Sequence, residues 1–253
     1  MGVDGFAITM HSDIVHGPLS PDGGVAMASI ETHFTIDGKP LFPEEQSRVL
    51  KSRITLDGDG KTLINFPAIK LAGKPGEPEI QFSGANGVML FDTSFTRLDL
   101  DLDIPELWVG GGEGQSLKIT GVTVVSESKS GLSDLRLGSG RLVVQKIAFA
   151  SPGAGVDIKI DDINLFGGTG ENGENINFSG NYQVKRVAVN DTDYGPAELK
   201  LDLGNIHAVA AARLVRGLQD IRRQNLPQHE RGLALTTVLM GSGPDLLKSN
   251  PRL

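Results

Sequence analysis

Apolar and polar residues alternate with a period of two along most of the chain. Phe6, Ile8 and Met10 alternate with Ala7, Thr9 and His11, and Ile30, Phe34 and Ile36 keep one parity in the next segment. In "LDLDLDIP", Leu98, Leu100, Leu102 and Ile104 fall on one side, and Asp99, Asp101 and Asp103 on the other. Successive strand residues point to opposite faces, so this pattern predicts strands with one apolar and one wetter face. Further strands are expected over 50–57, 61–71, 78–92, 116–125, 132–149, 155–166, 175–189 and 196–203. Turn signals such as "DGDGK", "GEP", "GGGEG" and "NDTDYGP" punctuate them, as in an antiparallel sheet.

Helical spacing occurs in three places. "PEEQSRVL", residues 43–50, has Pro43 and two acids in its first turn and predicts a short helix. In the segment 205–224, Ile206, Val209, Ala210, Leu214, Leu218 and Ile221 form one stripe, with Asn205 as its N-cap and Pro227 beyond its end. The tail from Leu233 to Leu247 is a weaker helix interrupted by "GSGP". The fold class is therefore mainly β: long, curved antiparallel sheet, one prominent C-terminal helix and one short helix. The expected organisation is a β domain over residues 3–204 and a helical segment over 205–253.

Composition narrows the function more than it assigns one. The 253 residues suffice to bury roughly three quarters of their extended surface. Hydrophobic content is 39% and charged content 22%, unlike a disordered tail or a membrane bundle. No apolar run approaches the ~20 residues of a membrane-spanning helix. The net charge of −7, with acids and bases scattered, argues against nucleic acid as a partner. Without cysteine there is no disulfide, thiolate metal site or cysteine nucleophile. Met1-Gly2 precedes an already alternating pattern and is read as a start placed after a removed leader.

Several stretches resemble reagent sites and fail on context. In "INLFGGTGENGENINF", Gly168, Gly170 and Gly173 spell G-x-G-x-x-G. A dinucleotide fingerprint needs a helix to follow, so that free N–H groups and the helix dipole hold phosphate. Here a strand pattern follows, and Glu171 and Glu174 would repel an anion, so the stretch predicts a hairpin turn. Counted from Asp99, the sixth and twelfth positions hold Ile104 and Gly110, not the Gly and Glu of a calcium loop. "DGDGK" fails likewise, with Lys61 at a ligand position. His11, His16, His33, His207 and His229 show no metal-binding spacing, and G-x-S-x-G is absent. Arg213, Arg216, Arg222 and Arg223 read as a solvated helix face, with anionic headgroups or a partner as the sharper alternative. Trp108 reads as packing at a strand end. No catalytic residue, cofactor or metal ligand is assigned.

"DIVHGPLS", "IPELWVGGGEG", "LKITGVTVVSES", "LRLGSGRLVVQKIAF" and "YGPAELKLDLGNIHAVAAARL" together resemble the YdgA-like family of bacterial envelope proteins. His16, Gly17 and Pro18 match its His-Gly-Pro strand end. The junction of Leu203, Gly204, Asn205, Ile206, His207 and Ala208 matches its passage from strand to helix, with Gly204 and His207 departing from the commoner residues. The resemblance implies a periplasmic protein tethered to the inner membrane, and it carries no catalytic residues. It also implies a longer parent, because "VLMGSGPDLLKSNPRL" resembles a mid-chain helix leading to further strands. The expected function is non-enzymatic: an apolar sheet face that binds a lipid-like ligand or a protein partner, with homodimerisation as one outcome. The rival is a hydrolase of envelope polymers using carboxylates such as Asp99, Asp101, Asp161 or Asp162.

Overall fold

The computed structural model describes residues 7–18, 23–72, 78–111, 114–224, 227–248 and 251. The strands are β1 Ile8–His16, β2 Ala28–Ile36, β3 Lys39–Pro40, β4 Leu50–Ile54, β5 Asp59–Phe66, β6 Ile69–Leu71, β7 Glu79–Phe82 and β8 Ala85–Asp92. There follow β9 Arg97–Gly110, β10 Ser116–Ser130, β11 Arg136–Ser151, β12 Val156–Asn172, β13 Asn175–Val189, β14 Thr192–Asp193 and β15 Ala197–His207. Two helices, α1 Ala208–Arg223 and α2 Gln228–Lys248, complete the chain. Strand makes up 62% of the structure, so the protein is mainly β, as the alternation predicts.

Hydrogen bonds order the strands β1-β2-β4-β5-β8-β9-β10-β11-β12-β13-β14, with β15 beside β13, β3 beside β2, and β7 between β9 and β6. Most neighbours are consecutive in sequence, because short turns can join only adjacent antiparallel strands. Gly58, at φ +90°, turns β4 into β5, and the Thr55 hydroxyl closes that turn by donating to the Asp59 carbonyl at 2.9 Å.

The chain forms two compact units. One comprises residues 1–127, 141–165 and 183–198; the other comprises 128–140, 166–182 and 199–253. In the first, the buried apolar residues include Phe42, Val49, Ala85 and Phe91. Phe66 meets Phe42 edge-on at 6.2 Å and Phe34 at 5.8 Å. In the second, Leu135, Leu137 and Ile176 pack with Ala208, Ala211 and Ala212 of α1, flanked by Leu132, Ile206 and Leu246. The alanines let α1 lie close to the strands. The helix therefore buries Ala208, Ala210, Ala211 and Ala212, while Val209 of the expected stripe stays 50% exposed.

Helix boundaries depart from the sequence expectation in three places. The segment 43–50 contributes one 3-10 turn, Glu44–Gln46, before β4. Asn205 lies inside β15 at φ +61°, and α1 begins after His207. Asn205 donates its backbone N–H to Asn177 Oδ1 and accepts from Asn175 Nδ2, each at 2.8 Å. Those bonds to β13 hold it in the strand. Finally, α2 continues through "GSGP" with Pro244 inside it.

Candidate functional site

The register of the first unit assembles one apolar face from six strands. Ile8, Met10 and Ile14 of β1 lie opposite Ile36, Phe34 and Ile30 of β2. Leu50 faces Ile64, Met89 faces Leu100, and Phe91 faces Leu98, continuing that face through β4, β5, β8 and β9. Its buried members include Ala28, Thr32, Thr62, Ala85 and Phe91. Buried hydroxyls need partners. Thr32 finds Ser12 at 2.9 Å, and Thr62 finds Ser52 at 2.7 Å, in both cases across a strand pair. Most large apolar members, including Ile30, Phe34, Leu50, Ile64, Met89, Leu100 and Leu102, are only half-buried. At β1 the cover ends: Ile8, Met10 and Ile14 are 65, 62 and 54% exposed. This strand pairs only with β2, so its outer edge is open among the described residues.

The opposite face carries the charges. Asp101 and Asp103 are exposed, whereas Asp99 is turned into an ion pair with Arg97 at 2.5 Å, which raises the Arg97 pKa. Asp103 accepts from the Thr123 hydroxyl at 3.2 Å. The leucines between these acids are half-buried, not core.

The glycine fingerprint is divided between two elements. Gly168 and Gly170 end β12, and Gly173, at φ +62°, turns directly into β13. The residues beside them carry structural bonds, through the side chain of Glu171 and the backbone of Glu174. Glu171 accepts the Leu132 N–H at 2.9 Å, and the Glu174 carbonyl accepts the Ala208 N–H at 3.0 Å, at the start of α1. The hairpin thus anchors the helix. Of the hydrolase candidates, half-buried Asp161 pairs with Arg186 at 3.6 Å and exposed Asp162 with Lys185 at 2.9 Å.

Three carboxyls of the described residues, Asp57, Glu79 and Asp193, have pKa values below the ordinary range. The Thr55 hydroxyl holds Asp57 below the usual carboxylate range. Lys70 does the same for Glu79, and the Gly195 N–H, with Arg186, for Asp193. A general acid needs the opposite shift.

His11 and His33 stack across β1 and β2 at 5.1 Å, and His16 ends β1. The side chain of His229 lies outside the described residues. No group of three or more metal-ligating side chains occurs among the described residues. Of the helix arginines, Arg213 reaches Asp245 at 2.8 Å and Arg216 reaches Asp134 at 3.1 Å, while Arg222 and Arg223 are exposed. Trp108 is half-buried in β9 and lies over Gly110, where a Cβ would come within 2.1 Å of its ring. No described helix is long and apolar enough to cross a membrane.

A family model described as "Bacterial protein of unknown function (DUF945)" matches residues 2–253. No curated protein and no solved structure matches the chain.

Proposed function

The chain belongs to this bacterial family of unknown function, and from its surfaces we propose a non-catalytic binding module of the bacterial envelope that holds a lipid-like ligand or a protein partner on the apolar face of β1, β2, β4, β5, β8 and β9. The observation that carries this reading is the exposure of Ile8, Met10 and Ile14 where the face reaches the open edge of β1. Full burial of such a side chain is worth about 1.5–3 kcal/mol, so covering the exposed parts returns on the order of 1 kcal/mol each. The polar atoms on that face support it as well, since the Ser12–Thr32 and Ser52–Thr62 pairs satisfy each other and leave an acyl chain no orphaned hydroxyl to meet.

The envelope setting is part of the proposal. It rests on the resemblance of His16-Gly17-Pro18 and the 203–208 junction to the YdgA-like family, whose pattern implies a periplasmic protein held at the inner membrane. A homodimer would bury the same side chains as a ligand.

Light scattering combined with mass spectrometry of an organic extract of the purified protein tests the reading. Bound lipid, or self-association that rises with concentration, is the expected result. A strict monomer that yields no lipid and captures no partner through this face would contradict it.

A further inference from the structure

The charged face of the first unit contains a cleft of about 550 Å³ over β4, β5 and β8, within the ordinary size range of small-molecule sites. Lys51, Arg53, Lys61 and Arg97 line it, with Asp59 as the one carboxylate among the lining residues. In a chain of net charge −7 this is a local inversion. Arg97 is neutralised by Asp99. The other three cations have no ion-pair partner among the described residues. Glu31, opposite Lys51 in the register, turns instead to Arg48 at 2.9 Å. Arg53 donates to the Val25 carbonyl at 3.0 Å.

Arg53 lies directly opposite Lys61, and Lys51 directly opposite Leu63. Like charges placed opposite each other destabilise a strand pair. An acid at either position would remove that cost, and the pair as it stands suits an anionic group. Between the cations the floor is apolar: Leu63 is 47% and Leu90 37% exposed. Beyond Leu90, which pairs with Asp99, the carboxylates of β9 close off the patch. An extended polyanion would run into those acids, whereas one anionic head over Lys51, Arg53 and Lys61 with an apolar body on Leu63 and Leu90 would not.

We propose that this cleft binds an anionic amphiphile: an acyl chain ending in one anionic group, with the head held by Lys51, Arg53 and Lys61. The site lies on the face opposite the apolar surface discussed above and stands independently of that reading.

Calorimetric titration of the full chain with laurate, below its micellar concentration, is the test. One laurate per chain should bind with an affinity that falls as salt screens the cations. Lys61→Gln and the double variant Arg53→Gln/Lys61→Gln should each weaken binding about tenfold or more, as expected for a lost charge-assisted contact. Lys61→Gln should melt no lower than the wild type, because it relieves the repulsion across the strand pair without touching the Arg53–Val25 bond, which separates loss of the site from loss of the fold. In the Met10→Glu/Ile14→Glu background, which removes the exposed β1 side chains as a second place for an acyl chain, Lys61→Gln should still weaken laurate binding about tenfold. Absence of laurate binding, equal binding of dodecyltrimethylammonium, equal binding of inorganic phosphate, or unchanged affinity in the double variant would each overturn the proposal.

Discussion

Gly170 and Gly173 belong to the same short motif and do different physical jobs. Gly173 sits at φ +62°, a conformation that costs an L-residue roughly 1–2 kcal/mol, whereas Gly170 has ordinary backbone and open space where a Cβ would go. Gly173→Ala should therefore destabilise by about that amount in urea unfolding, and Gly170→Ala should be close to neutral. Neither should alter affinity for ATP or NAD. The motif's context was legible in the sequence, since a strand pattern followed it. Which glycine makes the turn was not, because periodicity does not report φ. Asn205 shows the same limit: its side chain suits a helix cap, and only the pairing of β13 with β15 supplies the Asn175 and Asn177 bonds that keep it in the strand. Asp193 gives a prediction in pH. Its folded-state pKa lies below the ordinary value, through the Gly195 N–H and Arg186. Its contribution is complete above the unfolded-state pKa and is lost as pH falls through the lower folded-state value. Asp193→Asn should flatten the acid side of a stability–pH profile, modestly, because the pair is exposed to solvent screening.

Between elements, the contact of α1 with α2 is set at Gly217. A Cβ there would lie 2.7 Å from Val238, so the helices approach as closely as a missing side chain allows. Alanine is the better helix former by about 1 kcal/mol, yet overpacking a fitted contact typically costs 1–3 kcal/mol. Gly217→Ala should be net destabilising, and adding Val238→Ala should recover most of the loss in a double-mutant cycle. The strands were readable from alternation because a period of two needs only local residues. The persistence of α2 through Pro244 was not. Proline costs roughly 3 kcal/mol inside a helix. That cost is offset by tertiary partners invisible to local pattern: Ser242 is 2% exposed, Leu246 packs on the α1 core, and Asp245 holds Arg213.

At the scale of the whole molecule, buried apolar side chains among the described residues are largely alanine in the helical unit, while the strand unit leaves large aliphatic residues half-covered. The alternation of Leu98, Leu100 and Leu102 with acids was sufficient to predict a two-faced sheet. It did not reveal that the apolar face runs out uncovered at β1, nor that Lys51, Arg53 and Lys61 converge, because both depend on which strands become neighbours. The central claim is that Ile8, Met10 and Ile14 mark a surface awaiting a cover. Native mass spectrometry of the wild-type chain beside Met10→Glu/Ile14→Glu tests it most directly, with circular dichroism confirming that both keep the strand signal. The account predicts that the wild type carries a lipid or partner mass, or a dimer, that the variant loses, while a fatty-acid mass held by Lys51, Arg53 and Lys61 stays the same in both. Two proteins with the same bound masses and the same oligomeric state would contradict it.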